Sequence, residues 1–312
     1  MTWRGIASLV VVSLLSSCGG ERVPTAGHVV PEKPAGSAAP RPELRLGVLP
    51  ERNIFRQLQR YEPVAAYLSA RTGVTIRLSV LPRYGNIVRS FTTSGLDGAF
   101  FGSFTYALAH RRLGVEVLAR PQMLNGSSTY FGVILVRRDS GIRDVHGLKG
   151  KRFAFVDQAT TAGYLLPLGY FAHAGIKDYR TFLGEAYFAG THEDVIRDVL
   201  DGKADAGAAK SSVLERMAGE DPRVMSDLTF LDRSPDVPEN ALALSPAVAQ
   251  GVRERIRHVM LTMHEDPQGR EALAQLGAIR FILTRDEDYA PVYRYAAEVG
   301  LDLGTYEYDN SR

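Results

Sequence analysis

Short apolar runs and stretches of helical periodicity alternate along most of the chain. Residues 44–49 alternate large apolar positions with charged or small ones, a pattern typical of a strand. Pro63 then opens a predicted helix in which Val64, Tyr67 and Leu68 share one face. The same pattern predicts strands at 74–80, 97–101 and 115–119, and helices that begin near residues 86 and 102. This β-α-β-α order implies a parallel-type sheet covered by helices.

The second half of the chain repeats the alternation. An apolar strand predicted at 130–137 marks the crossing into a second lobe. Further strands are predicted at 152–156, 182–188, 204–208 and 228–231, with helices at 162–173 and 193–200. After Pro238 the pattern is mostly helical. We therefore expect an α/β protein of two lobes, residues 43–136 with 239–312 and residues 137–238, with a ligand cleft between them.

The N-terminal residues follow a different pattern. Residues 6–15 form an apolar run that is about 15 Å long as a helix, half of the roughly 30 Å hydrocarbon core of a membrane. This length is typical of a signal peptide. The four residues that end at Cys18, Leu-Ser-Ser-Cys, resemble a bacterial lipobox, in which the cysteine is lipidated after cleavage. Residues 1–17 are thus a predicted lipoprotein signal peptide; the alternative is a leader that happens to end near a cysteine.

Residues 18–42 follow as a predicted tether that begins at the lipidated Cys18. The segment is rich in Pro, Gly and Ala and contains no aromatic residue. It therefore buries too little apolar surface to offset the entropy of ordering. We expect it to hold the body of the protein to a membrane in an extended conformation.

Composition excludes several classes of chemistry. Lys and Arg number 37 against 35 Asp and Glu, and a net charge of +2 does not suggest a nucleic-acid partner. Cys18 is the single cysteine of the sequence, so the body has no disulfide, thiolate metal ligand or cysteine nucleophile. No Ser/His/Asp spacing and no GxxxxGK(S/T) phosphate loop occurs. We expect no catalytic residue, metal or cofactor; the alternative is an enzyme that uses the same cleft.

Two predicted strand-to-helix junctions carry polar side chains suited to an anion. At the first, Thr160 and Thr161 begin a helix, and a helix N-terminus has unpaired N–H groups and a partial positive charge. The alternative is that one threonine only caps the helix. At the second, Thr191 and Asp194 resemble a capping box. This places His192 in the first turn, either as a donor into the cleft or at the surface.

Three further side chains have two interpretations each. Phe101 and Tyr84 each end a predicted strand, so each is either part of the core or a wall of the cleft. Lys210 follows a predicted strand and either adds positive charge to an anion site or faces water.

These motifs occur in an order that resembles a known family. The shared motifs are residue 84 and residues 98–102, 138–142, 148–151, 153–157, 160–164, 190–192 and 205–208. Over about residues 44–301 the chain resembles the periplasmic phosphate-, phosphite- and phosphonate-binding proteins of ABC importers, the PhnD-like group. The resemblance implies a two-lobed, type II periplasmic-binding-protein fold that closes about a hinge on its ligand and has no catalytic activity.

The resemblance also implies which residues bind a small oxyanion. The implied ligand-binding residues are Tyr84, Phe101, Thr160, Thr161, Ala162 and His192. The two threonines and the backbone N–H groups from Ala162 onward hold the oxyanion. His192 and Tyr84 donate from opposite sides, and Phe101 forms a wall. Such neutral donors hold an anion without a fully buried ion pair and its desolvation cost.

Departures from the family pattern narrow the expected ligand. Ala162 stands where the family usually has a serine, and Phe101 replaces the tyrosine of aminoalkylphosphonate binders, so two hydroxyl donors are missing. Ser212 and Asn240 stand where those binders hold the ligand amine with acidic residues, so we expect no carboxylate for an ammonium group. The predicted ligand is a small oxyanion without an amino group, such as phosphate, phosphite or methylphosphonate.

The resemblance finally implies a function and a place in the cell. We expect a monomeric solute-binding lipoprotein, anchored on the periplasmic side of a bacterial membrane, that delivers its ligand to an ABC permease and ATPase. The alternative is a sensor that presents this or another oxyanion to a membrane histidine kinase.

Overall fold

The structure is a computed structural model, and it describes residues 42–81, 84 and 87–308. The predicted signal peptide, the predicted lipidation site Cys18 and all but the last residue of the predicted tether lie outside the described residues. Within those residues, no helix is both long enough and apolar enough to cross a membrane.

The strands form two large sheets and one short pair. The strands are β1 (Glu43–Val48), β2 (Thr75–Val80), β3 (Gly98–Phe101), β4 (Glu116–Met123), β5 (Thr129–Tyr130), β6 (Gly132–Arg137), β7 (Arg152–Phe155), β8 (Glu185–Phe188), β9 (Ala206–Lys210), β10 (Leu228–Arg233), β11 (Val237–Pro238), β12 (Ala241–Leu244) and β13 (Ala278–Leu283). One sheet has the order β13-β4-β12-β3-β1-β2 and the other β10-β6-β9-β7-β8, while β11 pairs with β5.

Helices connect most of these strands. They are α1 (Ile54–Thr72), α2 (Ile87–Thr93), α3 (Ser103–Leu113), α4 (Leu166–His173), α5 (Tyr179–Phe182), α6 (His192–Leu200), α7 (Ser211–Glu220), α8 (Arg223–Ser226), α9 (Gln250–Thr262), α10 (Pro267–Leu276) and α11 (Ala290–Glu298). A π-helical turn, Thr161–Leu165, leads into α4. Short 3-10 turns lie at Arg138–Ser140, Val145–Leu148, Met263–Glu265 and Asp286–Tyr289.

Each large sheet is the centre of one lobe and mixes parallel with antiparallel strands. In the first lobe, β1 pairs in parallel with β2 and β3, while β12 and β13 pair antiparallel to their neighbours. In the second lobe, β7 pairs in parallel with β8 and β9, while β6 pairs antiparallel with both β9 and β10. The sheets are therefore not of the purely parallel type that the pattern predicts, because the chain re-enters them after each crossing.

The chain crosses between the lobes twice, and the two crossings pair with each other. Tyr130 of β5 lies opposite Val237 of β11, in antiparallel register. Strand β6 pairs within the second sheet from Gly132 onward. The second lobe thus begins at that strand rather than at residue 137, because the apolar strand at the crossing belongs to the second sheet.

Two parts of the secondary structure differ from the sequence prediction. Helix α1 begins at Ile54 rather than at Pro63, because the Asn53 side chain accepts the Phe55 N–H at 3.0 Å and caps the helix there. Strands β12 and β13 lie where the sequence predicts mostly helix. The run Ala241–Leu244 consists of good helix formers, and its pairing with β3 and β4 overrides that propensity.

Buried apolar side chains fill each lobe and also the space between the lobes. Two clusters belong to the individual lobes. A third joins them, because it contains side chains of both; its members include Phe101, Phe104, Tyr130, Leu165 and Val213. The lobes therefore pack against each other through apolar contacts beside the crossing pair.

Gly98 in β3 lies where two strands approach too closely for a side chain. A Cβ there would be 2.6 Å from the carbonyl oxygen of Ala243 and would also meet Leu244 of β12. We expect Gly98→Ala to lower the free energy of unfolding by about 1–3 kcal/mol, measured by urea denaturation. The control is Gly219→Ala in α7, where a Cβ meets no atom within 4 Å. It should raise that free energy by about 0.5–1 kcal/mol, and equal effects at both sites would contradict this packing.

Candidate ligand-binding site

A cavity with an empty volume of about 220 Å³ lies between the lobes. It is bordered by segments that follow the carboxyl ends of β1, β3, β7, β8 and β9, the edge at which α/β sheets bind ligands. The lining residues are Glu51, Tyr84, Gly102, Phe104, Thr105, Tyr130, Ala159, Thr160, Thr161, His192, Lys210 and Asn240. The cavity is narrow in this arrangement of the lobes.

Four helical segments begin at or beside this cavity. They are α3, α6, α7 and the π-helical turn Thr161–Leu165. The first N–H groups of a helix have no partner within that helix, and its N-terminus carries a partial positive charge. The convergence of these termini creates an electrostatic environment that favours an anion.

Thr161 lies where the two lobes and the crossing pair meet. Its Oγ1 accepts a hydrogen bond from the backbone N–H of Phe104 in α3 at 2.9 Å. The Tyr130 hydroxyl lies close enough to the Thr161 and Ser103 hydroxyls for both to lower its pKa, although burial raises it. Ser103 in turn donates to the carbonyl oxygen of Pro238 at 2.6 Å. The Thr161 hydroxyl therefore ties the second lobe to the first at the wall of the cavity.

Thr160 also lines the cavity, but the main chain engages its hydroxyl. Its Oγ1 donates to the carbonyl oxygen of Asp157 at 2.7 Å, and its backbone N–H donates to the same oxygen at 3.0 Å. The hydroxyl makes no capping hydrogen bond to the helical turn that follows, so it does not match the capping alternative. A contact between this hydroxyl and an oxyanion stays a prediction.

His192 presents a neutral imidazole to the cavity. Its side chain is buried, and burial lowers its pKa to about 3. Its Nδ1 accepts a hydrogen bond from the backbone N–H of Lys210 at 3.2 Å, so the single ring proton resides on Nε2. His192 thus offers one N–H donor and no charge, and it is not the surface histidine of the alternative interpretation.

Tyr84 stands beside His192 at the cavity. The two rings meet edge to face with 6.1 Å between their centroids. Burial, together with the Glu51 carboxylate, raises the pKa of Tyr84 well above its ordinary value. Its phenol stays protonated at neutral pH and is able to donate a hydrogen bond.

A buried ion cluster surrounds Lys210, whose role the sequence leaves open. Its Nζ lies 2.6 Å from a Glu51 oxygen and 2.7 Å from a Glu239 oxygen. Burial alone would lower the pKa of Lys210, but the two carboxylates raise it above its ordinary value. Burial alone would raise the pKa of Glu51, but Lys210, Arg216 and Arg60 lower it below its ordinary value. Lys210 and Glu51 are therefore both charged at neutral pH.

Two carboxylates lie at the site although Ser212 and Asn240 supply none; whether either is available to a ligand ammonium group stays a prediction. Ser212 and Asn240 are indeed not acidic, but Glu51 lines the cavity and Glu239 lies beside it. Glu51 follows β1 and lies 189 residues before Asn240, so the identities of residues 212 and 240 do not reveal it. Both carboxylates contact the Lys210 ammonium.

Three residues singled out from the sequence do not line this cavity. Phe101 lies in the core and stacks on Phe91 with 5.9 Å between ring centroids. Ala162 packs closely on Gly132, because a Cβ added to the glycine would lie 3.0 Å from the Cβ of Ala162. Ser212 lines a second cavity with an empty volume of about 960 Å³.

Several lining residues escape the sequence analysis, notably Glu51, Thr105 and Tyr130. Glu51 comes directly after the first strand, and its place beyond a strand's carboxyl end is a signal that could have found it. Tyr130 has no comparable signal, because its place depends on the pairing of β5 with β11.

Ion pairs cross the cleft near the cavity. Arg52 of the first lobe contacts Glu193 of α6 through Nε at 2.9 Å and Glu220 of α7 through Nη2 at 2.9 Å. Arg56 contacts the same Glu220 carboxylate at 2.8 Å. The Arg52 side chain is 5% exposed, so water screens its pairs less than it screens surface salt bridges. These pairs hold the lobes in the observed arrangement.

The chemistry of the site is that of hydrogen-bond donors beside buried ions. Within the described ranges, no group of three or more His, Cys, Asp and Glu side chains is placed to hold a metal ion. The arrangement is suited to hold a small anion by N–H and O–H donors.

The buried His192 should make the fold less stable in mild acid. The unfolded chain protonates this histidine below its ordinary pKa of about 6.5, whereas the folded chain keeps it neutral down to about pH 3. The contribution of the neutral His192 to the free energy of unfolding is therefore fully present above pH 6.5 and is lost as the pH falls. We expect the free energy of unfolding to fall between pH 7 and 5, with a slope that approaches about 1.4 kcal/mol per pH unit.

Urea denaturation at pH 7, 6 and 5 measures this slope. His192→Gln should reduce it, while His146→Gln at an exposed position should leave the wild-type slope in place. The stability that the ionised Glu51 contributes is lost only as the pH falls below its ordinary pKa of about 4.5, so Glu51 adds little to the slope in this range. An unchanged slope in His192→Gln would contradict the neutral, buried state.

Comparison with known proteins identifies the family. Residues 46–289 match the protein-family model described as "ABC transporter, phosphonate, periplasmic substrate-binding protein". The phosphonates-binding periplasmic protein of Escherichia coli K12 is 22% identical over 267 residues, which cover 84% of this chain and 78% of that protein.

Solved structures share the fold. A binding protein component of an ABC phosphonate transporter from Pseudomonas aeruginosa has a TM-score of 0.75 at 20% identity, covering 83% of this chain and 87% of its own. PhnD1 from Prochlorococcus marinus, in complex with methylphosphonate, has a TM-score of 0.72 at 22% identity, covering 82% and 98%. These structures confirm the predicted two-lobed, type II fold. The chain belongs to the family of periplasmic substrate-binding proteins of phosphonate ABC transporters.

Proposed function

We propose that this chain captures a small phosphorus oxyanion in the interlobe cavity and delivers it to an ABC importer. The observation that carries the proposal is the meeting of Thr161, His192 and Tyr84 at one small cavity where four helical segments begin. Membership of the phosphonate-binding family supports the same class of ligand. A relative of this family is described in complex with methylphosphonate, a ligand of this class.

Neutral donors suit a buried oxyanion. A tetrahedral oxyanion accepts several hydrogen bonds, and bonds to a charged acceptor are about twice as strong as neutral ones. The N–H groups at the start of the turn Thr161–Leu165 face the ligand from the second lobe, and His192 and Tyr84 donate through Nε2–H and O–H. None of these groups adds a charge that would itself need desolvation.

The charges around the cavity also favour an anion. Glu51 and Glu239 contribute two negative charges. Lys210 contributes one positive charge, and Arg60 and Arg216 add two more at 3.9 and 3.6 Å from the Glu51 carboxylate. Within this ion cluster, from which the buried Asp157 beside the cavity is separate, three positive charges stand against two negative ones, and the helix termini add positive potential. A carboxylate in the wall is therefore compatible with an anionic ligand.

The ligand class that we propose is phosphate, phosphite or a small alkylphosphonate. The empty volume of about 220 Å³ supports a ligand of few atoms. Ala162 supplies no hydroxyl to the site, which supports a ligand that needs fewer donors. A ligand amino group would meet carboxylates that Lys210 already contacts.

The proposal includes the place of the protein in the cell envelope. A lipid on Cys18 would anchor a monomer to a membrane, with residues 18–42 as the tether, and the two lobes would present the ligand to a permease driven by an ATPase. The site would bind without catalysis. The lipobox resemblance supports the anchor, and family membership supports the periplasmic side.

The sensor alternative differs in the partner and not in the ligand. Permease and ATPase genes beside this gene would favour import, whereas a two-component pair would favour sensing by a histidine kinase.

Calorimetric titration of the full chain with methylphosphonate, phosphite, phosphate and sulfate tests the proposed function. We expect heat of binding with at least one phosphorus oxyanion. Thr161→Val, His192→Phe and Tyr84→Phe should each weaken that binding by about 10- to 100-fold, because each removes one hydrogen bond to a charged group.

The matched controls lie outside the cavity. Thr181→Val at an exposed position and His146→Gln should bind like the wild type. Absence of binding to every phosphorus oxyanion, or cavity variants that bind as tightly as the controls, would sink the proposal.

A further inference from the structure

The Lys210 ammonium lies in a cage of three oxygen atoms and one aromatic ring. The oxygen atoms are Glu51 Oε1 at 2.6 Å, Glu239 Oε2 at 2.7 Å and Asn240 Oδ1 at 3.0 Å from Nζ. The centroid of the Tyr130 ring is 4.2 Å from Nζ. We call Glu51, Glu239, Asn240 and Tyr130 the ammonium cage.

The cage satisfies a primary ammonium group completely. Such a group has three N–H donors and no acceptor, and the cage offers three acceptors. The face of the Tyr130 ring adds a cation–π interaction. The Lys210 side chain is 2% exposed, so the cage takes the place of the water that would otherwise solvate the charge.

The cage is also organised by contacts that do not involve the lysine. Asn240 donates through Nδ2 to Glu51 Oε1 at 3.1 Å and through its backbone N–H to Glu239 Oε2 at 3.2 Å. Arg216 and Arg60 lie 3.6 and 3.9 Å from the other Glu51 oxygen. These contacts orient the acceptors independently of the group that fills the cage.

The lysine reaches the cage from the other lobe. Glu51 follows β1 of the first lobe, and Tyr130 belongs to the crossing pair, whereas Lys210 ends β9 of the second lobe. Three of the four cage residues also line the oxyanion cavity. A group that fills the cage therefore lies beside the place proposed for the oxyanion.

We propose that the cage is a binding site for a primary ammonium group, that Lys210 fills it in this chain, and that Lys210 thereby excludes ligands that carry both an oxyanion and a primary ammonium group. The exclusion rests on the proposed function, whereas the ammonium site stands without it. Lys210 is then a specificity-determining residue, because its ammonium takes the place that a ligand ammonium would need.

The first experiment tests the cage without any oxyanion. The thermal unfolding of the full chain, Lys210→Ala and Lys210→Met is measured in methylammonium chloride and in sodium chloride of the same ionic strength. Alanine empties the cage, whereas methionine fills it with an apolar side chain of similar length. We expect methylammonium to raise the Tm of Lys210→Ala in a saturable manner. Methylammonium should leave the Tm of the wild type and of Lys210→Met unchanged. Tetramethylammonium, which has no N–H donor, should not change the Tm of any of the three proteins.

The second experiment tests the exclusion of ammonium-bearing ligands. The same three proteins are titrated with 2-aminoethylphosphonate and with propylphosphonate, which has the same length and no ammonium group. We expect the wild type and Lys210→Met to prefer propylphosphonate. In Lys210→Ala the ratio of the two Kd values should shift toward 2-aminoethylphosphonate by at least tenfold.

The outcomes separate this inference from the proposed function. If the wild type binds no phosphorus oxyanion, the proposed function fails, and the methylammonium experiment still decides whether the cage is an ammonium site. If Lys210→Ala does not fold, the double variant Lys210→Ala/Glu239→Gln, which removes one charge of each sign, replaces it in both experiments.

Three results would overturn the inference. One is a Tm of the emptied cage that methylammonium raises no more than sodium does. The other is a ligand preference in Lys210→Ala equal to that of the wild type. The third is an equal loss of affinity for both phosphonates in Lys210→Ala and Lys210→Met, because Lys210 would then bind the oxyanion directly.

Discussion

The arrangement of the site depends on how a buried negative charge is balanced. An unpaired carboxylate in the interior is costly, and Glu51 is 3% exposed. Lys210 and Arg216 of the second lobe and Arg60 of the first lobe surround it. Because its partners come from both lobes, the balance of this charge determines how the lobes meet. The ion pairs of Arg52 with Glu193 and Glu220 reinforce the same arrangement.

Ions and neutral hydrogen-bond donors have different roles at the cleft. The ions pair with one another across the lobes, while Thr161, the His192 imidazole and the Tyr84 phenol line the cavity. The fold brings both sets together because each follows the carboxyl end of a strand, and these ends meet in the cleft. In the proposed complex, dipoles would hold the small anion while the charges hold the lobes. The Lys210 ammonium is one of the charges that hold the lobes together.

Sequence reasoning finds the parts of the site that have a local signal. Thr161 and His192 each begin a helix after a strand, and both line the cavity. Phe101 ends a strand in the same way, yet its side chain lies in the core. All four residues of β3 are buried, so the strand has no polar face that would show which side chains point to the cleft. Glu51 escapes because its role depends on residues of the other lobe.

A crystal structure of the full chain with methylphosphonate would test directly whether the ligand binds between the lobes through neutral donors. The account predicts that the phosphonate lies between the lobes, with its oxygen atoms about 2.7–3.2 Å from the N–H groups of the turn Thr161–Leu165, from His192 Nε2 and from the Tyr84 hydroxyl. Lys210 should stay in contact with Glu51. A phosphonate bound instead in the second cavity, beside Ser212 and Arg216, would contradict the account.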